Sequence, residues 1–238
     1  MRVLLASVLT AAVLACAVPA WAQDSASNGV PAAVTVDQGA TRVPAKPPIG
    51  GRVFGLFDLN KMSASQSFTA ILGTSTLKGF GAGADVFDLW KHAFVRVDVS
   101  HFSKSGSRVF ADSTGTVVSL NIPTTIAMTP VDIGAGWRFV TGSGHQRITP
   151  YAGAGLLWLK YSETSSFSNS GEDVSQSYKG TVLFGGVDVD VMKHVSIGAE
   201  GQFRSAPATG ASASSVFSLY NESNLGGSTI RVLFGVKF

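Results

Sequence analysis

The chain contains one cysteine in 238 residues, Cys16, which lies in an apolar run near the amino terminus. Disulfide bonds and thiolate metal sites are therefore excluded for the rest of the chain. Beyond residue 22, no apolar run approaches the ~20 residues that a membrane-spanning helix needs. Charged residues are also scarce, at 14% of the sequence with a net charge of +3. No Lys/Arg-rich block is present, so the sequence gives no indication of nucleic-acid binding.

The beginning of the chain has the pattern of a secretory signal peptide. One arginine precedes an apolar run over residues 3–18, and the small-x-small sequence AWA follows at residues 20–22. This order predicts export and cleavage after Ala22. Residues 23–49 are rich in Ala, Pro, Ser and Thr without a sustained period. We therefore expect a flexible periplasmic lead-in, followed by a single domain over residues 50–238.

From Gly50 onward the sequence alternates apolar and polar residues as β-strands do. The alternation is clearest in residues 226–238, where one face is wholly apolar. That face comprises Ile230, Val232, Phe234, Val236 and Phe238. The mean hydropathy of the chain is positive, at +0.26. In lipid every backbone donor and acceptor must be paired internally, so an exported apolar chain without a spanning helix predicts a closed β-barrel.

Eight candidate strands follow one another along the domain. They lie at about 50–59, 78–88, 93–102, 124–140, 147–161, 178–190, 194–205 and 226–238. Tight connections near 88–92, 141–146 and 190–194 alternate with long polar ones at 60–77, 103–123, 162–177 and 206–225. This alternation predicts an up-and-down barrel with turns at one rim and loops at the other. An even number of strands places both termini on the turn side, in the periplasm.

Three stretches and the last residue resemble the small eight-stranded outer-membrane barrels, the broad family of OmpA-type and OmpX-type barrel domains. They are GFGAGADVF at residues 79–87, PYAGAG at 150–155, Val187-Asp188-Val189 and the carboxy-terminal Phe238. The resemblance implies an all-β fold, an eight-stranded antiparallel up-and-down transmembrane β-barrel. It also implies that the outer-membrane assembly machinery recognises the last strand. The residues of this assembly signal would be Phe234, Val236 and Phe238.

Strand parity directs most of the charged residues of the domain into the barrel lumen. The predicted charge network comprises Arg52, Asp58, Asp85, Arg96, Asp98, Asp132, Arg138, Asp188, Asp190, Glu200, Arg204 and Arg231, with Lys237 near the end of the chain. Lys160 would give seven cations against seven anions, but the even Gly/Ala alternation of the fifth strand leaves its facing open. Eight strands enclose little more than side chains, and an unpaired buried charge is costly. A salt-bridged plug is therefore favoured, with a gated polar conduit as the alternative.

Aromatic belts are expected at the two rims of the barrel. The turn-side belt would comprise Trp90, Trp137, Phe139, Tyr151 and Phe238, and the loop-side belt Phe57, Phe80, Phe102, Tyr161 and Phe203. His92, His145 and His194 lie in separate turns, which favours a basic rim at lipid head groups or periplasmic polymers over a metal site. His101 and Ser103 raise the alternative of a lipid hydrolase, but we find no convincing acid partner.

These observations predict a monomeric, non-enzymatic protein of the cell outer membrane, with a structural or interaction role. Its lumen would be plugged by charges, and its four long loops would face the exterior. The expected partners are outer-membrane lipids and lipopolysaccharide, together with the assembly machinery during insertion. No cofactor, metal or nucleic acid is predicted. The alternative function is a narrow channel or lateral conduit for small solutes.

Overall fold

The computed structural model describes residues 49–111, 116–140, 147–165, 173–208 and 216–238. The predicted signal peptide, all but the last residue of the lead-in and His145 lie outside these ranges. The strands are β1 (Gly50–Met62), β2 (Thr76–Phe87), β3 (Ala93–Ala111), β4 (Val117–Arg138), β5 (Ile148–Ser165), β6 (Val174–Met192), β7 (Val195–Ser205) and β8 (Gly227–Lys237). Two helices, α1 (Ser65–Leu72) and α2 (Val216–Leu219), lie in the connections.

The eight strands form a closed barrel in chain order, each antiparallel to its neighbours. Closure comes from the first and last strands, which pair over most of their length, with Asp58 opposite Arg231. At the turn-side end of this seam, Gly51 and Phe238 exchange two backbone hydrogen bonds of 3.0 and 2.9 Å. The ribbon therefore has no free edge, which confirms the predicted eight-stranded antiparallel barrel.

The two faces of the barrel wall differ sharply in chemistry. On β3, Val95, Val97 and Val99 are 42–46% exposed, whereas Arg96 and Asp98 between them are 2% and 3% exposed. The same alternation continues on β1, β7 and β8. The outer surface is therefore apolar, while the inner surface carries the charges.

The facing of β5, which the sequence leaves open, is settled by burial. Tyr151, Leu157 and Leu159 are buried inside, and their neighbours face outward. Lys160 is consequently on the outer surface, so the count of seven lumen cations is wrong. Of the predicted set, six cations and seven anions face the lumen.

The β3–β4 connection, predicted as a long loop over residues 103–123, is largely a continuation of the two strands. Polar pairs extend the ladder, including a hydrogen bond of 3.0 Å between the hydroxyls of Ser105 and Thr125. A register shift between Ser107 and Val109 marks a bulge in this extension. Ser and Thr suit strands that lie in water as well as they suit loops, which explains the error.

Helix α1 occupies the connection at residues 60–77, which the sequence predicts only as a loop. Phe68, Ile71 and Leu72 are buried at helical spacing on one face of α1. Gly73 ends the helix with a left-handed φ of 71°, a conformation that glycine adopts without strain. Within the described part of the chain, no helix is long and apolar enough to cross a membrane.

Candidate functional site: the barrel lumen

Inward-facing glycines make room for large side chains inside the barrel. The GFGAGADVF stretch runs straight through β2, with its glycines inward and its alanines outward. A Cβ atom on Gly83 would lie 2.5 Å from Phe54 Cζ and 2.7 Å from the Val97 carbonyl oxygen. The absent side chain therefore allows the Phe54 ring to lie across the lumen.

Four aromatic rings surround the guanidinium of Arg96. Its Cζ atom lies 5.2 Å from the ring centre of Phe54, 5.4 Å from Phe94, 5.1 Å from Tyr151 and 5.2 Å from Phe184. Each distance is within the range of a cation–π contact. Arg96 is 2% exposed, so these rings replace part of the water that the charge loses on burial.

Carboxylates complete the surroundings of Arg96 and link it to a second arginine. Its Nε donates to Asp85 Oδ1 at 2.6 Å, and its Nη1 donates to Glu200. Asp85 also accepts from Arg52, whose Nη1 donates to Asp188 Oδ1 at 2.6 Å. These hydrogen bonds form a continuous chain of ion pairs across the lumen.

Arg231 extends this chain toward the middle of the barrel. Its Nε donates to Asp58 Oδ1 at 3.0 Å and its Nη1 to Asp98 Oδ1 at 2.9 Å. Nη1 also lies 3.5 Å from Glu200 Oε1, and Ser100 Oγ donates to Asp58 Oδ2 at 2.7 Å. We call this connected set the charged cluster. It comprises Arg52, Asp58, Asp85, Arg96, Asp98, Asp188, Glu200 and Arg231.

Four predicted network residues form two further pairs, and a fifth forms no ion pair in the described part of the chain. Arg204 donates to Asp132 Oδ2 from Nε at 3.0 Å and from Nη2 at 2.6 Å. Near the turn-side rim Asp190 pairs with Lys237. Arg138 instead lies over the Phe87 ring at 4.6 Å, and its Nε has no hydrogen-bond partner in the described part of the chain.

The loop-side half of the lumen is filled by apolar side chains. This apolar cluster comprises Met62, Ala64, Phe68, Ile71, Leu72, Leu77, Phe102, Ile126, Met128, Leu157, Leu159, Tyr161, Ala206 and Leu225. Phe68, Ile71 and Leu72 come from α1, so the helix closes the barrel mouth with its buried face.

Residues of the connection between β7 and β8 hold α1 in place. The Glu222 carboxylate accepts from the backbone N–H groups of Gln66 and Ser67 at 3.0 and 2.9 Å. These donors are left unpaired within any helix, and a negative charge there also suits the helix dipole. Phe217 of α2 packs edge-on against Phe68 at 5.8 Å between ring centres. Two connections that are distant in sequence therefore form one cap.

Small cavities lie between the described residues of these groups. Two of them, inside the barrel, each measure about 10 Å³, one beside Arg138 and Tyr151 and one beside Phe102 and Arg204. A volume of this size holds about one water molecule.

Three predicted belt aromatics lie in the lumen instead. Phe102, Tyr151 and Tyr161 are 1–4% exposed and face inward. Phe102 follows Arg96 and Asp98 at even spacing, so its assignment to the belt was wrong and strand parity, applied to it, indicates an inward face. The other predicted belt residues, Phe57, Phe80, Trp90, Trp137, Phe139, Phe203 and Phe238, are 37–77% exposed. Trp158, 39% exposed on β5, joins them.

The predicted assembly residues and the three described histidines lie outside the lumen. Phe234, Val236 and Phe238 are exposed on the outer face of β8. His194 Nδ1 lies 3.1 Å from the Lys237 carbonyl oxygen, and His92 packs edge-on against Trp137. His101 faces outward and lies 3.1 Å from the Thr129 hydroxyl.

An apolar outer wall around a filled, polar-lined lumen defines the class of small outer-membrane β-barrels. No protein-family model matches the chain, and no curated protein matches its sequence. Among solved structures, Ail, the attachment invasion locus protein of Yersinia pestis, was determined in complex with the heparin analogue sucrose octasulfate. It matches with a TM-score of 0.50 and 11% identity, over 80% of this chain and 99% of that one.

Two further solved structures are similar. The N-terminal β-barrel domain of Pseudomonas aeruginosa OprF gives a TM-score of 0.47 at 12% identity, over 79% of this chain and 97% of that one. Neisserial surface protein A gives a TM-score of 0.46 at 15% identity, over 79% of this chain and 95% of that one. At such identities the likeness concerns the fold alone. The chain has the fold of the small eight-stranded outer-membrane barrels.

Proposed function

We propose that this protein is a non-enzymatic, sealed barrel of the cell outer membrane with a structural or interaction role. The observation that carries the proposal is the filling of the lumen by the charged cluster and, on its loop side, the apolar cluster. A rigid barrel of this kind holds its loop-side connections above the membrane surface. In this proposal the exported chain loses its signal peptide after Ala22, and the assembly machinery recognises β8 through Phe234, Val236 and Phe238.

The charged cluster supports a mechanical role. Arg52, Arg96 and Arg231 contact carboxylates on β1, β2, β3, β6 and β7, so the ion pairs tie together strands that are not adjacent. Removing one partner of such a buried pair is strongly unfavourable, because the other charge is left buried without compensation. The cluster therefore opposes both distortion of the wall and entry of solutes.

Liposome swelling tests the sealed lumen. Vesicles that contain the purified protein are diluted into solutions of small sugars, beside vesicles with an open porin and vesicles without protein. We expect swelling no faster than in protein-free vesicles. Swelling that increases with the amount of protein would favour the alternative, a narrow conduit for small solutes.

A turnover assay with lipid A and phospholipids tests the non-enzymatic part of the proposal. The one histidine considered for lipid hydrolysis, His101, faces outward beside a threonine hydroxyl rather than a serine. We expect no released acyl chain or head group. Product formation that is lost in His101→Ala would contradict the proposal.

A further inference from the structure

The charges on the outer wall all have one sign and lie near one rim. Lys61, Lys78, Lys160 and Lys179 are exposed and face outward on the regularly paired strands. No Asp or Glu faces outward on the strands that the structure describes. The four lysines form no ion pair with any described residue. They therefore present free cationic groups on an otherwise apolar surface.

The lysines form two pairs with the same geometry. Lys61 lies opposite Thr76, so Lys78 is two residues along the neighbouring strand. Lys160 lies opposite Ser177, so Lys179 is likewise two residues along. Diagonal neighbours of this kind lie about 7–8 Å apart. Two flexible ammonium groups at this spacing can contact one phosphate from both sides.

Exposed aromatic rings place both pairs at the height of lipid head groups. Phe57 and Phe80 are cross-strand partners, and each is followed on the loop side by Lys61 or Lys78 on the same strand. Trp158 lies opposite Lys179. Aromatic girdles mark the membrane interface, and lysines just beyond it extend their ammonium groups toward the head groups.

Below the Phe57–Phe80 pair the outer wall is concave. Gly55 and Ala82 occupy outward positions there, and no atom lies within 4 Å of a Cβ placed on Gly55. The resulting groove is shallow and open, and it is lined mainly by apolar side chains, among them Val53, Val97 and Val99. An acyl chain attached to a head group at the lysine pair would reach this groove.

We propose that each lysine pair binds a phosphate group of its own molecule of a phosphorylated glycolipid of the outer leaflet, of the lipopolysaccharide class, because the two pairs lie four strands apart on opposite sides of the barrel. The groove below Lys61 and Lys78 takes one acyl chain of the molecule bound there. Like charges without an acidic neighbour, at head-group height on the exterior side, match a polyanionic lipid surface. The inference rests on the membrane placement in the proposed function and is independent of the sealed lumen.

Native mass spectrometry of the purified processed chain in detergent tests this proposal. The probes are bisphosphorylated lipid A, dephosphorylated lipid A, phosphatidylglycerol and inorganic phosphate. The variants are K61Q/K78Q and K160Q/K179Q. The matched control is K91Q/K193Q, which removes two exposed lysines from the turn side. Gel migration without heating verifies that each variant is folded.

We expect the unaltered protein to bind two molecules of bisphosphorylated lipid A and each loop-side double variant to keep one, with the affinity of the altered site at least about tenfold lower. The control should bind this lipid normally, and dephosphorylated lipid A should bind weakly to every form. The proposal is overturned if the control loses as much affinity as the loop-side variants, or if phosphorylated and dephosphorylated lipid bind alike. Equal, lysine-dependent binding of phosphatidylglycerol or inorganic phosphate would overturn the assignment to a glycolipid. Leaky vesicles in the swelling assay would refute the sealed lumen without affecting this result.

Discussion

The charged cluster and the apolar cluster fill neighbouring parts of the same lumen by different means. In the charged cluster, Arg96 contacts carboxylates from two strands and the faces of four rings. In the apolar cluster, Phe68 and Ile71 of a short helix complete a core formed by strand residues such as Leu157. The first is built entirely from the barrel wall, whereas the second needs a connection that folds inward. The comparison indicates that the charged cluster belongs to the rigid barrel, and that the apolar cluster includes a part that can open locally.

The largest difference is expected when Arg231 is replaced. Arg231→Met removes the guanidinium that Asp58, Asp98 and Glu200 contact. Glu200 keeps its pair with Arg96, but Asp58 and Asp98 remain buried without a cationic partner. We expect a loss of about 3–5 kcal/mol in the free energy of unfolding, measured by urea titration in lipid vesicles. Lys179→Met, which removes an outward cation, should change it by less than about 0.5 kcal/mol. Similar values for the two variants would show that the charged cluster does not stabilise the barrel.

The second effect concerns the apolar cluster. Phe68→Ala removes a fully buried ring from α1, at a cost of about 3 kcal/mol. We expect this cost to appear as faster hydrogen exchange of the α1 amides, with unchanged exchange in β1 and β8. Gln66→Ala, at an exposed position of the same helix, is the control. Faster exchange throughout the barrel would contradict local opening.

A smaller difference is expected between glycine substitutions on the inner and the outer surface of the barrel wall. In Gly83→Ala the new methyl group would overlap Phe54 and the Val97 carbonyl, at a cost of about 1–3 kcal/mol in unfolding free energy. Gly55→Ala, on the neighbouring strand, adds a methyl group to open space outside and should be neutral or slightly stabilising. Equal effects in the same urea titration would mean that the Phe54 ring does not need the space at Gly83.

The smallest expected effect is at the helix cap. Glu222→Ala removes the acceptor of two α1 amides and should destabilise the helix by about 1 kcal/mol. Limited proteolysis of the α1 segment should accelerate, while the barrel fragment persists. Glu222→Gln keeps one strong acceptor, so its rate of proteolysis should lie between those of the unaltered protein and Glu222→Ala. Unchanged proteolysis in Glu222→Ala would show that packing alone holds α1.

Strand parity predicted the architecture because every second side chain of a membrane-spanning barrel strand faces lipid and must be apolar. The same parity that directs Arg52 and Arg96 inward also directs Phe54 and Phe94 inward. The aromatic surroundings of Arg96 could therefore have been found in the sequence. The prediction followed charges only and missed them. The apolar cluster was missed for the same reason. Phe102 lies on the same inward face of β3 as Asp98, but only the charged residues of that face were followed.

Other features could not be predicted from local pattern. Arg96 and Glu200 are 104 residues apart, and their contact depends on the stagger of all eight strands. Glu222 reaches Gln66 across 156 residues. The facing of β5 was undecidable because Gly and Ala alternate where size and polarity give no direction. Helix α1 did leave a signal, the spacing of Phe68, Ile71 and Leu72 before Gly73, although a helix of only eight residues between two strands is easily read as a loop.

Single-channel recording in planar bilayers tests the central claim most directly, with the unaltered protein beside the variant F68A/I71A. The account predicts that neither conducts, because the charged cluster closes the lumen even after the apolar cluster is weakened. Discrete, reproducible openings of the unaltered protein would contradict a sealed barrel. Openings of the variant alone would show that the apolar cluster is the only barrier and that the charged cluster lets ions pass.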